Sequence, residues 1–112
     1  MTDRQLLEQA AKAAGIEIAQ WSNIQAGGFI AKGSAYLDSW GDERIPRDFW
    51  NPLTNDGDAL RLAVKLGINL ELHNINLYGA HKGSIECECE GEPYAATRRA
   101  IVLAAAEIGK GL

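Results

Sequence analysis

No apolar run in this chain approaches the roughly 18 residues that a bilayer-spanning helix needs, so a membrane protein is not expected. A surplus of positive charge is also lacking, because 15 acidic residues against 11 basic ones leave a net charge of −4. Broad binding to DNA or RNA through phosphate neutralisation shows a basic stripe, so general nucleic-acid binding is not expected either. A small anionic ligand asks for only two or three well-placed cations and stays open. Cysteine is scarce: Cys87 and Cys89 are the two present. On a strand such a pair points to one face about 6.6 Å apart, awkward geometry for bridging each other. Reduced core thiols are expected. The alternative is a zinc site completed by His73 and His81, although zinc hairpins usually place two residues between their cysteines. Recognisable reaction chemistry is missing as well. There is no Ser-His-Asp order, no paired-carboxylate motif and no HExxH. Gly28 and Gly33 have the spacing of a phosphate loop, but Ser34 stands where the lysine is required. Met1-Thr2-Asp3-Arg4 lacks a basic region leading into an apolar one, so a cytoplasmic protein without a signal peptide is expected.

What remains is ordinary for one small globular domain: 112 residues, 46% apolar and 23% charged. Thr2-Asp3-Arg4-Gln5 matches a helix capping box, with Met1 and Leu6 placed as a hydrophobic staple. Leu6, Leu7, Ala10, Ala11 and Ala14 then form one apolar stripe, and Gly15 supplies the stop. Alternation over Ile16–Trp21 predicts a strand, with Phe29–Ala31 and Ala35–Leu37 as its partner after a Gly27-Gly28 turn. The stretch from Asp38 to Phe49 reads as an irregular loop. A second helix is expected over Asp56–Leu66, capped by Thr54, Asn55 or Asp56 and ended by Gly67, with Ala59, Leu60, Ala63, Val64 and Leu66 buried. Ile68, Leu70 and Leu72 alternate with polar residues, as do Ile85, Cys87 and Cys89 with Glu86, Glu88 and Glu90. These two runs predict an antiparallel hairpin across a polar connection from Asn74 to Gly83, with the glutamates in solvent. Pro93 opens a third helix through Tyr94, Arg98, Ile101, Val102, Ala105 and Ile108, ended by Gly109 or Gly111. The order is α-β-β-α-β-β-α, an α+β fold with a small antiparallel-dominated sheet carrying helices.

Trp50-Asn51-Pro52, Asp58-Ala59-Leu60 and Val64, with Ala95, Arg98-Arg99-Ala100 and Ala104-Ala105-Ala106, resemble the small bacteriophage proteins of the phage ABA-sandwich family and the related NinX-like proteins. The likeness spans roughly residues 45 to 108. It implies a phage or prophage origin and a layered α/β/α sandwich, and it carries no catalytic residue.

Arg98 and Arg99 are candidates for clamping a phosphate, since a guanidinium offers a fixed fork of donors. Trp50, Trp40, Tyr36 and Tyr94 are candidates for stacking on a base. His73 and Lys82, with Asn74, Asn76, Tyr78 and His81, could form a polar binding lip. The plainer reading makes Trp50 a core anchor, Asn51 a turn residue, and Asp56 and Asp58 helix caps. The expected function is a non-enzymatic phage accessory protein that binds and sequesters a small nucleotide immune signal, possibly a cyclic oligonucleotide. It would work as an anti-defence sponge in the host bacterial cytoplasm, without cofactor or metal. Because one small protomer seldom encloses a nucleotide tightly, a homo-oligomer is expected. The competing expectations are an anti-CRISPR-like acidic decoy for a host effector and an accessory of phage replication or recombination.

Overall fold

A computed structural model describes residues 2–22, 28–31, 49–72 and 77–112. Helix α1 spans Asp3–Ala14. The Thr2 hydroxyl accepts the Gln5 N–H and the Gln5 side chain accepts the Thr2 N–H, so the capping box closes as expected. Gly15 terminates the helix at φ 69°, a left-handed backbone that glycine adopts without steric cost. The five-residue apolar stripe of α1 is buried throughout. Met1, the other half of the expected staple, lies outside the described residues.

Strands β1 (Ile18–Ser22), β2 (Gly28–Ala31) and β3 (Phe49–Trp50) form an antiparallel sheet in sequence order. Trp21 and Phe29 meet edge to face with ring centroids 5.1 Å apart, and the Arg4 guanidinium lies 5.8 Å from the Trp21 ring. The expected partner strand at Ala35–Leu37 lies outside the described residues. Phe49 and Trp50 differ from expectation by pairing with Ile30 and Phe29 as a third strand.

Helix α2 (Asp56–Leu66) starts from a folded turn. The Asn51 side-chain oxygen accepts the Leu53 N–H, its backbone carbonyl accepts the Asn55 N–H, and Asn55 caps the helix by accepting from Asp58 N–H. Buried Asp58 accepts the Asn51 N–H at 3.0 Å and an Arg61 N–H at 2.7 Å. It therefore locks the turn onto the helix rather than capping it. The helix is also rotated from the expected face. Leu62 is buried in the core, whereas Leu60 and Val64 are exposed.

The second sheet holds three strands, β4 (Asn69–Leu72), β5 (Leu77–Lys82) and β6 (Ile85–Glu90), antiparallel in that order. The supposed polar connection thus contains a central strand, and Ile85–Glu90 pairs with β5 instead of β4. A tight turn at Gly83, φ 60°, joins β5 to β6. Glu86, Glu88 and Glu90 face solvent as expected, while Cys87 and Cys89 turn inward.

Helix α3 (Pro93–Lys110) is the spine of the molecule. Pro93 sits in its first turn and the Glu92 carboxylate caps Tyr94 and Ala95. It packs against β5 and β6 on one side and α1 on the other, with α2 alongside. Asp3 meets Arg99, Gln9 meets Gly109 and Lys12 meets Leu112, so α1 and α3 run parallel. Gly109 does not end the helix: it lies flush on Gln9, where an added Cβ would stand 2.0 Å from the Gln9 carbonyl oxygen. The α+β class holds, in the order α-β-β-β-α-β-β-β-α.

Candidate functional site

A concavity lies where α2, α3 and the β4 side of the second sheet meet. Its volume is about 560 Å³. Three elements supply the walls for identifiable reasons. Leu70 and Leu72 lie opposite Ala80 and Tyr78 in the β4–β5 register, so they share the face that α3 covers. α3 reaches fully across β5 and β6 but barely reaches β4. The β4 end of that face consequently overhangs, and Leu60 of α2 and Tyr94 of α3 complete the groove around it.

Charge enters at one end. Arg98 donates from Nε to the Leu53 carbonyl at 2.8 Å, which fixes the plane of its guanidinium. Its second arm contacts Asp56 at 2.6 Å, and both groups line the groove. The Asp56 carboxylate is two-thirds exposed, so it is a partner that a competing anion can displace. The rest of the lining is mainly apolar, with the hydroxyl-bearing side chains of Tyr78, Tyr94 and Thr97.

Of the residues singled out from sequence, Arg98, Tyr94 and Tyr78 are brought together here. Arg99 points elsewhere, toward Asp3 at the start of α1, at 3.1 Å. Two adjacent helical positions diverge by about 100° around the axis, which is why the pair does not clamp one group. Trp50 is only 8% exposed and belongs to the core, so its ring is an anchor and not a stacking platform. Lys82 donates to the Leu66 carbonyl and caps the C-terminal end of α2 instead of forming a lip. Tyr36, Trp40 and His73 lie outside the described residues.

Leu60, Leu70 and Leu72 were missed as groove residues. The signal that could have found them is an excess of apolar positions on α2. Ala59, Leu62, Ala63 and Leu66 already fill one face, leaving Leu60 and Val64 as a second stripe one turn apart.

The cysteines and His81 occupy opposite faces of the second sheet, which separates them as zinc ligands. His81 lies 3.3 Å from Glu71 on the outer face, whereas both thiols pack against the core. No group of three potential metal ligands occurs among the described residues. Burial pushes the Cys87 thiol up from its ordinary range, with Glu107 and Cys89 adding to the effect. Burial also raises Cys89, against an opposing pull from Arg99. Among the described residues no helix is long and apolar enough to cross a membrane.

Compared with known proteins, the chain matches no family model, no curated protein and no solved structure.

Proposed function

We propose that this chain is a non-enzymatic phage accessory protein that holds a small nucleotide-type signal in the α2–α3–β4 groove and withholds it from a host immune effector in the cytoplasm. One observation carries the reading: an exposed flat ring, Tyr94, and an oriented guanidinium, Arg98, share the wall of a single concavity. A base stacking on the Tyr94 ring contributes about 1–3 kcal/mol. A phosphate would take over the Arg98 arm that Asp56 now engages, exchanging one charge-assisted bond for another. Leu60 and Leu72 would cover the second face of the base. The phage origin rests on the residue resemblance around Trp50-Asn51-Pro52 and the arginine-alanine pair of α3.

Calorimetry against cyclic di- and trinucleotides and ADP-ribose derivatives tests this. Binding with a Kd of about 1 μM or tighter, close to −8 kcal/mol, is expected for at least one class. Tyr94→Ala should weaken it about tenfold or more, in line with the loss of one stacked base. A silent panel at about 100 μM ligand ends the reading.

A second reading is favoured by a different observation. Glu86, Glu88 and Glu90 form one exposed row on β6, and Glu71 stands on the same outer face of the sheet. Such a row suits a cationic protein surface, as in a decoy for a defence effector. In that case changing the three β6 glutamates to lysine abolishes activity against the host while the nucleotide panel stays silent.

A further inference from the structure

Among the described residues, the buried polar side chains are Asn51 and Asp58, 3% and 8% exposed. Neither is required to start α2, because Asn55 already supplies the cap by accepting the Asp58 N–H at 2.9 Å. A carboxylate held away from water is unfavourable unless hydrogen bonds satisfy it. Asp58 gives one oxygen to the Asn51 N–H and the other to Arg61. The pair therefore does more than begin a helix.

The contacts around the pair lead to Arg98. Asn51, anchored by Asp58, accepts the Leu53 N–H on its side-chain oxygen at 2.9 Å and the Thr54 N–H on its main-chain oxygen at 3.2 Å. Pro52 between them is fully buried and restricts the backbone further. The Leu53 carbonyl and the Thr54 N–H belong to one planar peptide and point in opposite directions. With the N–H turned in to Asn51, the carbonyl is turned out to the Arg98 Nε, 2.8 Å away. The same turn runs on into Asp56, whose carboxylate holds another arm of the guanidinium at 2.6 Å.

We propose that Asn51 and Asp58 are positioning residues for anion binding: they preset Arg98 in the groove, while Asp56 occupies it as a displaceable stand-in for the ligand. This deepens the nucleotide reading and rests on its placement of an anion at Arg98. An arginine already held at Nε has fewer side-chain rotations left to lose, so a phosphate binds it more tightly. Asp56 works the other way. Its contact is exposed and weak, yet an incoming anion has to break it. The two acids consequently make opposite contributions, although they stand two positions apart at the start of one helix. Charge alone makes the same prediction for both, since deleting either negative group favours an anion. Positioning inverts the sign at Asp58.

Inorganic phosphate, titrated against the full chain while the Arg98 Nε–H signal is followed by NMR, reads these signs without involving a base. Asp56→Asn should lower the midpoint concentration about threefold, the size of an exposed ion pair. Asp58→Ala should raise it about fivefold, the effect of having to order one long side chain. Asn51→Ala, which changes no charge, should also raise it and decides the matter if Asp58→Ala does not fold. Asp58→Asn keeps an oxygen for the Asn51 N–H and should recover most of the loss. Leu7→Ala, at a fully buried residue of α1, is the control for lost stability and should leave the midpoint where it was. An unchanged or lowered midpoint in Asp58→Ala or Asn51→Ala overturns the proposal. So does a midpoint raised equally by Leu7→Ala, or an Arg98 signal that phosphate does not move. The nucleotide panel answers a separate question. Phosphate binding with these signs beside a silent panel sinks the nucleotide reading alone, and nucleotide binding strengthened by loss of either acid sinks the positioning alone.

Discussion

Gly109 shows how one missing side chain sets the distance between two helices. Its backbone lies against Gln9, and the neighbouring positions along both helices are alanines: Ala10, Ala11 and Ala14 on α1, and Ala104, Ala105 and Ala106 on α3. Helices faced with such small residues approach closely, and dispersion contacts between backbones replace those of longer side chains. Gly109→Ala removes a residue that is itself poor in a helix interior, worth roughly 0.5–1 kcal/mol in the variant's favour. The added methyl nevertheless collides with a carbonyl that cannot swing away. The net expectation is a loss of about 1–3 kcal/mol, the usual range for overpacking, measured by urea denaturation. A gain in stability would mean that α1 and α3 are further apart than described.

At the scale of elements, α2 offers the sharpest contrast. Leu62 and Leu60 are two residues apart on one helix, yet one is 2% exposed and the other 59%. Leu62→Ala should therefore cost about 2–4 kcal/mol, and Leu60→Ala should stay within about 0.5 kcal/mol, when both are melted side by side. Helix ends were readable from the sequence because capping is local chemistry. Thr2 with Gln5, Gly15, Gly67 and Pro93 each announce a terminus through a hydrogen bond or a backbone conformation within one turn. The rotation of α2 was not readable, since Leu60 and Val64 are as apolar as the residues that the core receives. β5 was missed for another reason. Leu77-Tyr78-Gly79-Ala80-His81-Lys82 carries a glycine at its centre and polar residues at its end, a composition that suits a connection. Its strand character comes from neighbours on both sides: Gly79 pairs with Glu71 of β4 and with Glu88 of β6. Of the groove, Tyr94 and Arg98 could be named from residue type alone. Their convergence with Leu70 and Leu72 depends on how far α3 extends across the sheet, which no local pattern encodes.

For the molecule as a whole, the two half-buried thiols tie stability to alkaline pH. Burial raises both, so the folded chain keeps their protons to a higher pH than the unfolded chain does. The associated stability is complete below the ordinary thiol range, near about 8.5, and is lost as pH climbs through the raised folded values. Melting temperature should hold from neutral pH to about 8 and then decline, more steeply than in a variant with both cysteines replaced by alanine. Identical slopes for the two proteins would show that the thiols do not govern that limb.

The parallel pairing of α1 with α3 has a consequence for how the chain acquires its shape. Arg99 answers Asp3 across 96 positions, and the Leu112 carbonyl answers Lys12 across 100. A polypeptide leaving the ribosome therefore exposes the apolar stripe of α1 until α3 has been made, with its main docking surface still missing. Such end-to-end closure is slow, because the loop entropy must be met before any contact rewards it. Until α3 has emerged, that alanine-and-leucine stripe is a natural target for a chaperone.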